Sequence, residues 1–209
     1  MRIGAVQLAA CEGSRMGSVP KSLLHLQGMP LLHRHLNALR DIPFDEIVVV
    51  TGYHHEKIEA AISDQAVRCI RNPEPQRGQQ SSVRLGVAAL STGFDAVMVV
   101  LADQPLVGIP ELQELMRAFA QRPTGTGVLY PVVDGQRGNP VVFSGEVVGA
   151  MLRSGDEVDF RRYIDAHPEV VFRYETPNAH FIIDLDTAED IAAFEQRTGW
   201  VLGWSNEPT

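Results

Sequence analysis

The sequence has little cysteine, no long apolar run and no surplus of positive charge, and each shortage argues against a class of protein. Its two cysteines, Cys11 and Cys69, form neither a CxxC pair nor part of a Cys/His cluster. That speaks against a disulfide framework and a structural zinc site, and a reducing cytoplasm is the expected setting. No stretch approaches the roughly 18 consecutive apolar residues of a membrane span, and residues 1–8 lack the apolar core of a signal peptide, so a protein neither exported nor membrane-integral is expected. Lys and Arg number 18 against 26 Asp and Glu, a formal net charge of -8. Duplex binding depends on clustered Lys and Arg neutralising phosphates, so no nucleic-acid partner is expected. A small anion can still occupy a locally positive pocket.

What is present is an ordinary globular composition: 209 residues, 44% hydrophobic and 21% charged. At roughly 100–200 residues per domain this fits one large α/β domain that buries about 70% of the surface its unfolded chain exposes. Short runs rich in β-branched residues alternate with longer segments of helical period, the pattern of βαβ units. Strands are expected at 3–8, 46–51, 67–71, 96–101, 127–131, 139–143 and 170–174. Helices are expected at 31–40, 55–63, 81–90, 110–121, 145–152, 159–166 and 188–197. The continuous apolar runs Ile47-Val48-Val49-Val50 and Val97-Met98-Val99-Val100-Leu101 suit central strands covered on both faces. Residues 1–199 read as a single domain and 200–209 as a C-terminal tail.

Ligands of open α/β sheets bind beyond the carboxyl ends of the strands, which directs attention to the segments after Leu8, Thr51, Arg71 and Leu101. The first runs from Leu8 through Ala9, Ala10, Cys11 and Gly13 to Arg15, Gly17 and Lys21. Small residues let backbone N–H groups approach a phosphate, and two cations can neutralise a polyphosphate. The segment is neither a Walker A loop nor a GxGxxG turn; a surface turn with two solvated cations is the plain alternative. Gly78, followed by Gln79-Gln80-Ser81-Ser82, opens a helix whose hydroxyls and amides can meet a base or sugar, or merely cap the helix. Asp103 leaves a central strand in Leu101-Ala102-Asp103-Gln104-Pro105, placed either to hold Mg²⁺ beside phosphate oxygens or to form a turn. In Ile182-Ile183-Asp184-Leu185-Asp186-Thr187, alternation puts Asp184 and Asp186 on one face, while Asp186 or Thr187 can instead cap the last helix. The seven histidines show no metal-ligand spacing, and His54-His55 reads as a loop pair at a helix start.

Taken in order from residue 3 to about 194, these segments resemble the nucleotidyltransferase family that includes the molybdenum-cofactor cytidylyl- and guanylyltransferases, the MobA-like NTP transferases. The loop is similar to that family's Leu-Ala-Ala/Gly-Gly-x-x-x-Arg-Met-Gly signature, and Thr51-Gly52-Tyr53, Asn72-Pro73, the Ser81-Ser82-Val83 helix start, Asp103-Gln104-Pro105 and Asp184-Leu185-Asp186-Thr187 resemble its later elements. Arg137-Gly138-Asn139-Pro140 and the segment Gly155-Asp156 to Arg161 resemble its acceptor-side elements. The resemblance implies a three-layer, Rossmann-like α/β fold of the nucleotide-diphospho-sugar transferase type with a mostly parallel central sheet. It places the nucleotide against Leu8, Ala9, Ala10, Cys11, Gly13, Arg15, Lys21, Thr51, Gly78, Ser81 and Ser82. It makes Arg15, Lys21 and Asp103 catalytic, puts Mg²⁺ on Asp103, Asp184 and Asp186, and sets the acceptor against Gln104, Pro105, Gly138, Asn139 and Asp156. The implied reaction is transfer of CMP from CTP to the terminal phosphate of a molybdopterin-type acceptor with release of pyrophosphate, an apo-molybdoenzyme or its chaperone receiving the product.

Four departures qualify the likeness. Cys11 replaces a Gly, where a Cβ is expected to crowd the nucleotide or strain the backbone. Ala10 resembles the cytidylyl branch, whereas three residues between Gly17 and Lys21 resemble the guanylyl one. Asn139 replaces a His and Ala188 a Pro. The alternatives are a guanylyltransferase, a sugar-phosphate nucleotidyltransferase, or a non-catalytic nucleotide- or cofactor-binding chaperone for a molybdoenzyme, which Cys11 favours.

Overall fold

A computed structural model describes residues 1–154 and 160–204. Its frame is a sheet containing β1 (Ile3–Ala9), β4 (Glu46–Thr51), β5 (Arg68–Arg71), β6 (Ala96–Leu101), β7 (Val128–Val133), β9 (Val141–Ser144) and β10 (Val171–Glu175), with β8 (Gln136–Arg137) paired to β7 at the margin. The order across it is β10-β7-β9-β6-β1-β4-β5. β5, β4, β1 and β6 run parallel, and so do β7 and β10; β9 alone is inserted antiparallel between β6 and β7. This is the expected mixed α/β fold with a mostly parallel sheet.

Strand alternation explains the three layers. Ala5, Val49, Met98 and Val100 point to one face, where they meet Leu32, Leu36 and Leu39 of α1 (Leu31–Arg40), Ile58 of α2 (His55–Ala61) and Leu112, Leu115 and Phe119 of α4 (Ile109–Ala120). Val6, Leu8, Val48, Val50, Val97 and Val99 point to the other, against Val83 and Val87 of α3 (Gln79–Ala89), Val147 and Met151 of α5 (Gly145–Arg153) and Phe160 and Ile164 of α6 (Phe160–Ala166). With both faces covered, the central strands have no polar side to present. Among the described residues, each expected strand and helix is found within two residues of its reading, and no helix is long and apolar enough to cross a membrane.

A second, small sheet was not expected. β2 (His25–Leu26) and β3 (Met29–Pro30) form a hairpin, and β11 (Leu202–Gly203) pairs antiparallel with β2. Thus part of the segment read as a tail from 200 onward is built into the fold, with Leu202 buried beside Leu24, Leu26, Leu31, Leu185 and Phe194 of α7 (Ala188–Thr198). Strands of two residues carry no periodicity, so sequence patterning had nothing to register.

Close packing of α3 on the sheet requires Gly86. A Cβ there would overlap Val6 Cγ1 and stand 2.7 Å from Val50 Cγ2, both stiff β-branched side chains. Alanine should gain up to about 1 kcal/mol in helix propensity, but overpacking of this kind costs typically about 1–3 kcal/mol. Gly86→Ala is therefore expected to lower the urea midpoint; an unchanged or raised midpoint would mean that α3 can retreat freely.

Candidate active site

The segment after β1 turns back over the carboxyl end of its own strand. Gly13 and Gly17 adopt left-handed backbone (φ 68° and 80°), and a Cβ at Gly13 would collide with the Val19 carbonyl. The Gly13 carbonyl accepts from the amides of Met16 (2.9 Å) and Ser18 (3.0 Å), closing a tight loop. From the side, His54 Nε2 donates to the Glu12 carbonyl at 2.9 Å; the histidine pair does start α2, and its first member also braces this loop. Cys11 is exposed, and it is not among the non-glycine residues with positive φ, which are Ser18, Gln27, His54 and Asp134. The backbone strain expected of a Cys at this position is absent.

The loop delivers two cations to three carboxylates. Lys21, only 5% exposed, places Nζ 2.6 Å from Asp186 Oδ1 and 3.2 Å from Asp103 Oδ2, and Arg15 contacts Asp186 Oδ2 at 2.6 Å. Asp103 leaves the end of β6, while Asp184 and Asp186 flank the fully buried Leu185. The Leu185 amide donates to the Asp103 carbonyl at 3.0 Å, fixing the two acidic segments side by side. Thr187 is the N-cap of α7, in a reciprocal capping box with Asp190, so Asp186 is left to its cations rather than to capping.

Charge and burial set the protonation of the group. Burial raises the Asp103 carboxyl, against the pull of Lys21. Burial, reinforced by the Asp103 and Asp186 carboxylates, pushes Asp184 up to about 6. Burial also opposes ionisation of Asp186, yet the hydrogen bonds from Lys21 and Arg15 hold it below the usual carboxylate range. Burial likewise disfavours the Lys21 ammonium, but Asp103 and Asp186 keep it above its ordinary value.

These groups line a cleft of about 420 Å³ at the carboxyl ends of β1 and β6. Of the residues expected in the site, Leu8, Ala9, Ala10, Cys11, Arg15, Lys21, Gly78, Ser82, Asp103, Asn139, Asp184 and Asp186 reach it. Tyr53, Pro75 and Gln79 also line it; a hydroxyl-bearing or amide-bearing neighbour in an already suspected segment was the only sequence signal for Tyr53 and Gln79.

Other expectations need correction. Thr51 is fully buried, its Oγ1 donating to Glu59 Oε1 (2.7 Å) and its carbonyl accepting from the Asn72 amide (2.8 Å), because strand alternation turns it toward α2 and away from any nucleotide. Gly13 shapes the loop without lining the cleft, and Ser81 donates to the Gly78 carbonyl (2.8 Å) while accepting from Asn72 Nδ2. Gln104, also fully buried, donates to Asp184 Oδ1 (2.9 Å) and the Phe181 carbonyl (3.0 Å); it positions Asp184 and is closed to an acceptor. Pro105 is buried beneath it. Gly138 is buried and leaves no room for a side chain, since a Cβ would come 2.5 Å from the Phe181 carbonyl oxygen. Asp156 lies outside the described residues.

The site also suits a hard divalent cation. Asp103 Oδ1 is buried with no hydrogen-bond partner, and Asp184 is destabilised by two neighbouring carboxylates. Among the described residues no three His, Cys, Asp or Glu side chains close into a metal cage. Mg²⁺ needs only one or two carboxylates and completes its shell with water and phosphate. Asp103 and Asp184 meet that demand, whereas both oxygens of Asp186 are held by Arg15 and Lys21.

Residues 5–170 match the MobA-like NTP transferase domain. The chain belongs to that family. The NTP transferase domain is 34% identical over 155 residues to "Bifunctional protein GlmU" of Azoarcus sp. (strain BH72), an alignment covering 74% of this chain and 33% of the relative. The chain thus spans about a third of the length of that curated relative. In fold it is similar to a nucleotidyl transferase from Methanothermobacter thermautotroptrophicus (TM-score 0.75, 24% identity, 94% and 97% of the two chains). It is similar as well to Rv0371c of Mycobacterium tuberculosis H37Rv in complex with manganese (TM-score 0.72, 20% identity, 94% and 99%).

The carboxylate cluster predicts an inverted pH response. Because Asp184 is raised from 3.8 to about 6, the folded transferase domain takes up protons relative to the unfolded chain in that window, and this residue's contribution to stability falls as pH rises from about 4 to 6. In EDTA at pH 8, Asp184→Asn should be more stable than the parent by about 1–2 kcal/mol, with the difference shrinking toward pH 4. Urea titrations across pH 4–8 read this directly, and a variant less stable at pH 8 would refute the electrostatic account.

Proposed function

We propose that this NTP transferase domain transfers a nucleoside monophosphate from a nucleoside triphosphate, CTP in the first instance, to the phosphate of a molybdopterin-type acceptor, releasing pyrophosphate. The observation that carries the reading is one cleft in which Arg15 pairs with Asp186, and Lys21 with both Asp186 and Asp103, whose second oxygen is buried and unpartnered. Asp103 and Asp184 would hold Mg²⁺. Bound there, the metal would supply charge neutralisation for the phosphate oxygens.

The residues themselves account for the remaining demands of the reaction. An acceptor phosphate oxygen bonds to the α-phosphorus while the bond from that phosphorus to the bridging oxygen of the β-phosphate breaks, and pyrophosphate carries away the electron pair. Such transfers need alignment and charge neutralisation more than covalent help, so no protein nucleophile is required. Arg15 and Lys21 hold the β and γ groups. Gln104 and the Leu185 amide keep Asp184 and Asp103 in place. The start of α3, where Gly78, Gln79 and Ser82 line the cleft, faces the sugar and base.

Ala10 supports CTP through its resemblance to the cytidylyl branch. Commitment of Gln104 and Gly138 to packing removes part of the support for molybdopterin over a sugar phosphate, which is the second reading. The non-catalytic reading loses ground because Cys11 sits without strain.

Thermal melting with CTP, GTP, ATP and UTP, each with and without Mg²⁺, tests the nucleotide. A ligand at about 100 times its dissociation constant adds roughly 2.7 kcal/mol. A Mg²⁺-dependent shift with CTP supports the reading, and one with GTP moves it to the guanylyl reaction. Pyrophosphate release with molybdopterin and with sugar 1-phosphates then separates the acceptors. In that assay Asp103→Asn, which leaves Lys21 paired with Asp186 alone, should stay folded at a lowered melting temperature and lose about 1000-fold or more in kcat, since metal binding contributes several kcal/mol to the transition state; a folded, active variant would remove Asp103 from the metal role.

A further inference from the structure

A second cleft of about 220 Å³ adjoins the first, sharing Gln79, Leu101 and Asn139 with it. Its floor is apolar: Val99 of β6 and Phe143 of β9, with Phe160 of α6 stacked edge-on to Phe143 at 4.9 Å. Its rim is cationic. Arg137 of β8 lies with its guanidinium 4.3 Å over the Tyr130 ring, and Arg161 of α6 is also on the lining. Neither arginine makes an ion pair among the described residues, on a chain whose formal charge is -8. Burial pushes the Arg137 guanidinium below its ordinary range, and the like charge of Arg161 adds to the shift. Beside them Gln80 Oε1 is buried with no hydrogen-bond partner, an acceptor that suits a donor group on a bound molecule and not its anion.

Two arginines held near each other over an apolar floor, with the Asp165 carboxylate acting on Arg137 more weakly than Arg161 does, form a ready site for an anion, because a guanidinium matches carboxylate or phosphate oxygens in paired hydrogen bonds. A nucleotide bound along Arg15 and Lys21 leaves this second cleft for the other reactant. We infer that the acceptor carries, besides the phosphate that reacts, a second anionic group on a flat apolar body, and that Arg137 and Arg161 bind this second anion. The inference rests on the transferase reading of the adjoining cleft.

The test uses three matched probes on the full chain: benzyl phosphate, 4-carboxybenzyl phosphate and the bisphosphate of 1,4-benzenedimethanol. Dissociation constants are measured by calorimetry with and without CTP and Mg²⁺. The two doubly anionic probes should bind about tenfold or more tighter than benzyl phosphate, and comparing them tells whether carboxylate or phosphate is preferred. Arg137→Gln and Arg161→Gln should each largely abolish that advantage, leaving CTP affinity and the melting temperature as in the parent. Equal affinity for all three probes, or an advantage that survives both substitutions, would overturn the inference. If the advantage depends on the arginines but no triphosphate binds, the anion site stands and the transferase reading falls; if a triphosphate binds with Mg²⁺ and no advantage exists, this inference falls alone.

Discussion

A lysine ammonium buried between two carboxylates holds the site together. Lys21 belongs to the loop after β1, Asp103 to the end of β6, and Asp186 to the segment before α7, so one cation joins three distant stretches of chain. Taking these charges out of water is tolerable only because they are paired. Removing one partner from such a pair costs about 3–5 kcal/mol, since the other is left buried and uncompensated. The Leu185 amide on the Asp103 carbonyl and the Gln104 amide on Asp184 extend the same arrangement. The small sheet of β2, β3 and β11, packed on α7, keeps Leu185 in its socket. What surrounds Lys21 is therefore a set of constraints that all point three carboxylates at one volume.

That crowding has a cost in stability and a use in chemistry. Three acidic side chains facing two basic ones leave an excess of negative charge in a half-enclosed cleft, and burial there raises both Asp103 and Asp184. On the proposed reading, a polyanionic substrate would enter such a place together with a divalent cation. The same electrostatics that loosen the metal-free protein at neutral pH would, on that reading, favour loading of metal and nucleotide together. Functional sites commonly hold destabilising groups of this kind.

The large elements were legible because they obey period rules: β6 as an apolar run, α4 as a segment beginning at a proline, α7 as Asp-Thr followed by acidic residues. The site was legible wherever a functional group stands at a strand end, as Asp103 does, or in a loop of small residues, as Arg15 and Lys21 do. It was misread wherever the decision belonged to tertiary packing. Thr51 and Gln104 have the chemistry of ligand-binding residues, and only their partners, Glu59 and Phe181, reveal that both face inward. Gly138 looks like a loop glycine meant for a ligand, yet the neighbour that requires it is the Phe181 carbonyl. The arginines of the second cleft lie 24 residues apart in sequence, with nothing local to join them.

The reversed strand β9 separates the two halves of the site by chain direction. Val141 at its start lies opposite Val99 near the end of β6, so the cleft around Lys21 draws its charged groups from segments that follow strands, while the second cleft takes Arg137 from a strand that precedes β9. Lengthening the β7–β8 hairpin, which carries Arg137 on its second strand, would reshape a wall of the second cleft. On the proposed reading, a single antiparallel insertion thus lets the acceptor's wall vary in length while Lys21 and its carboxylates keep chain segments of their own.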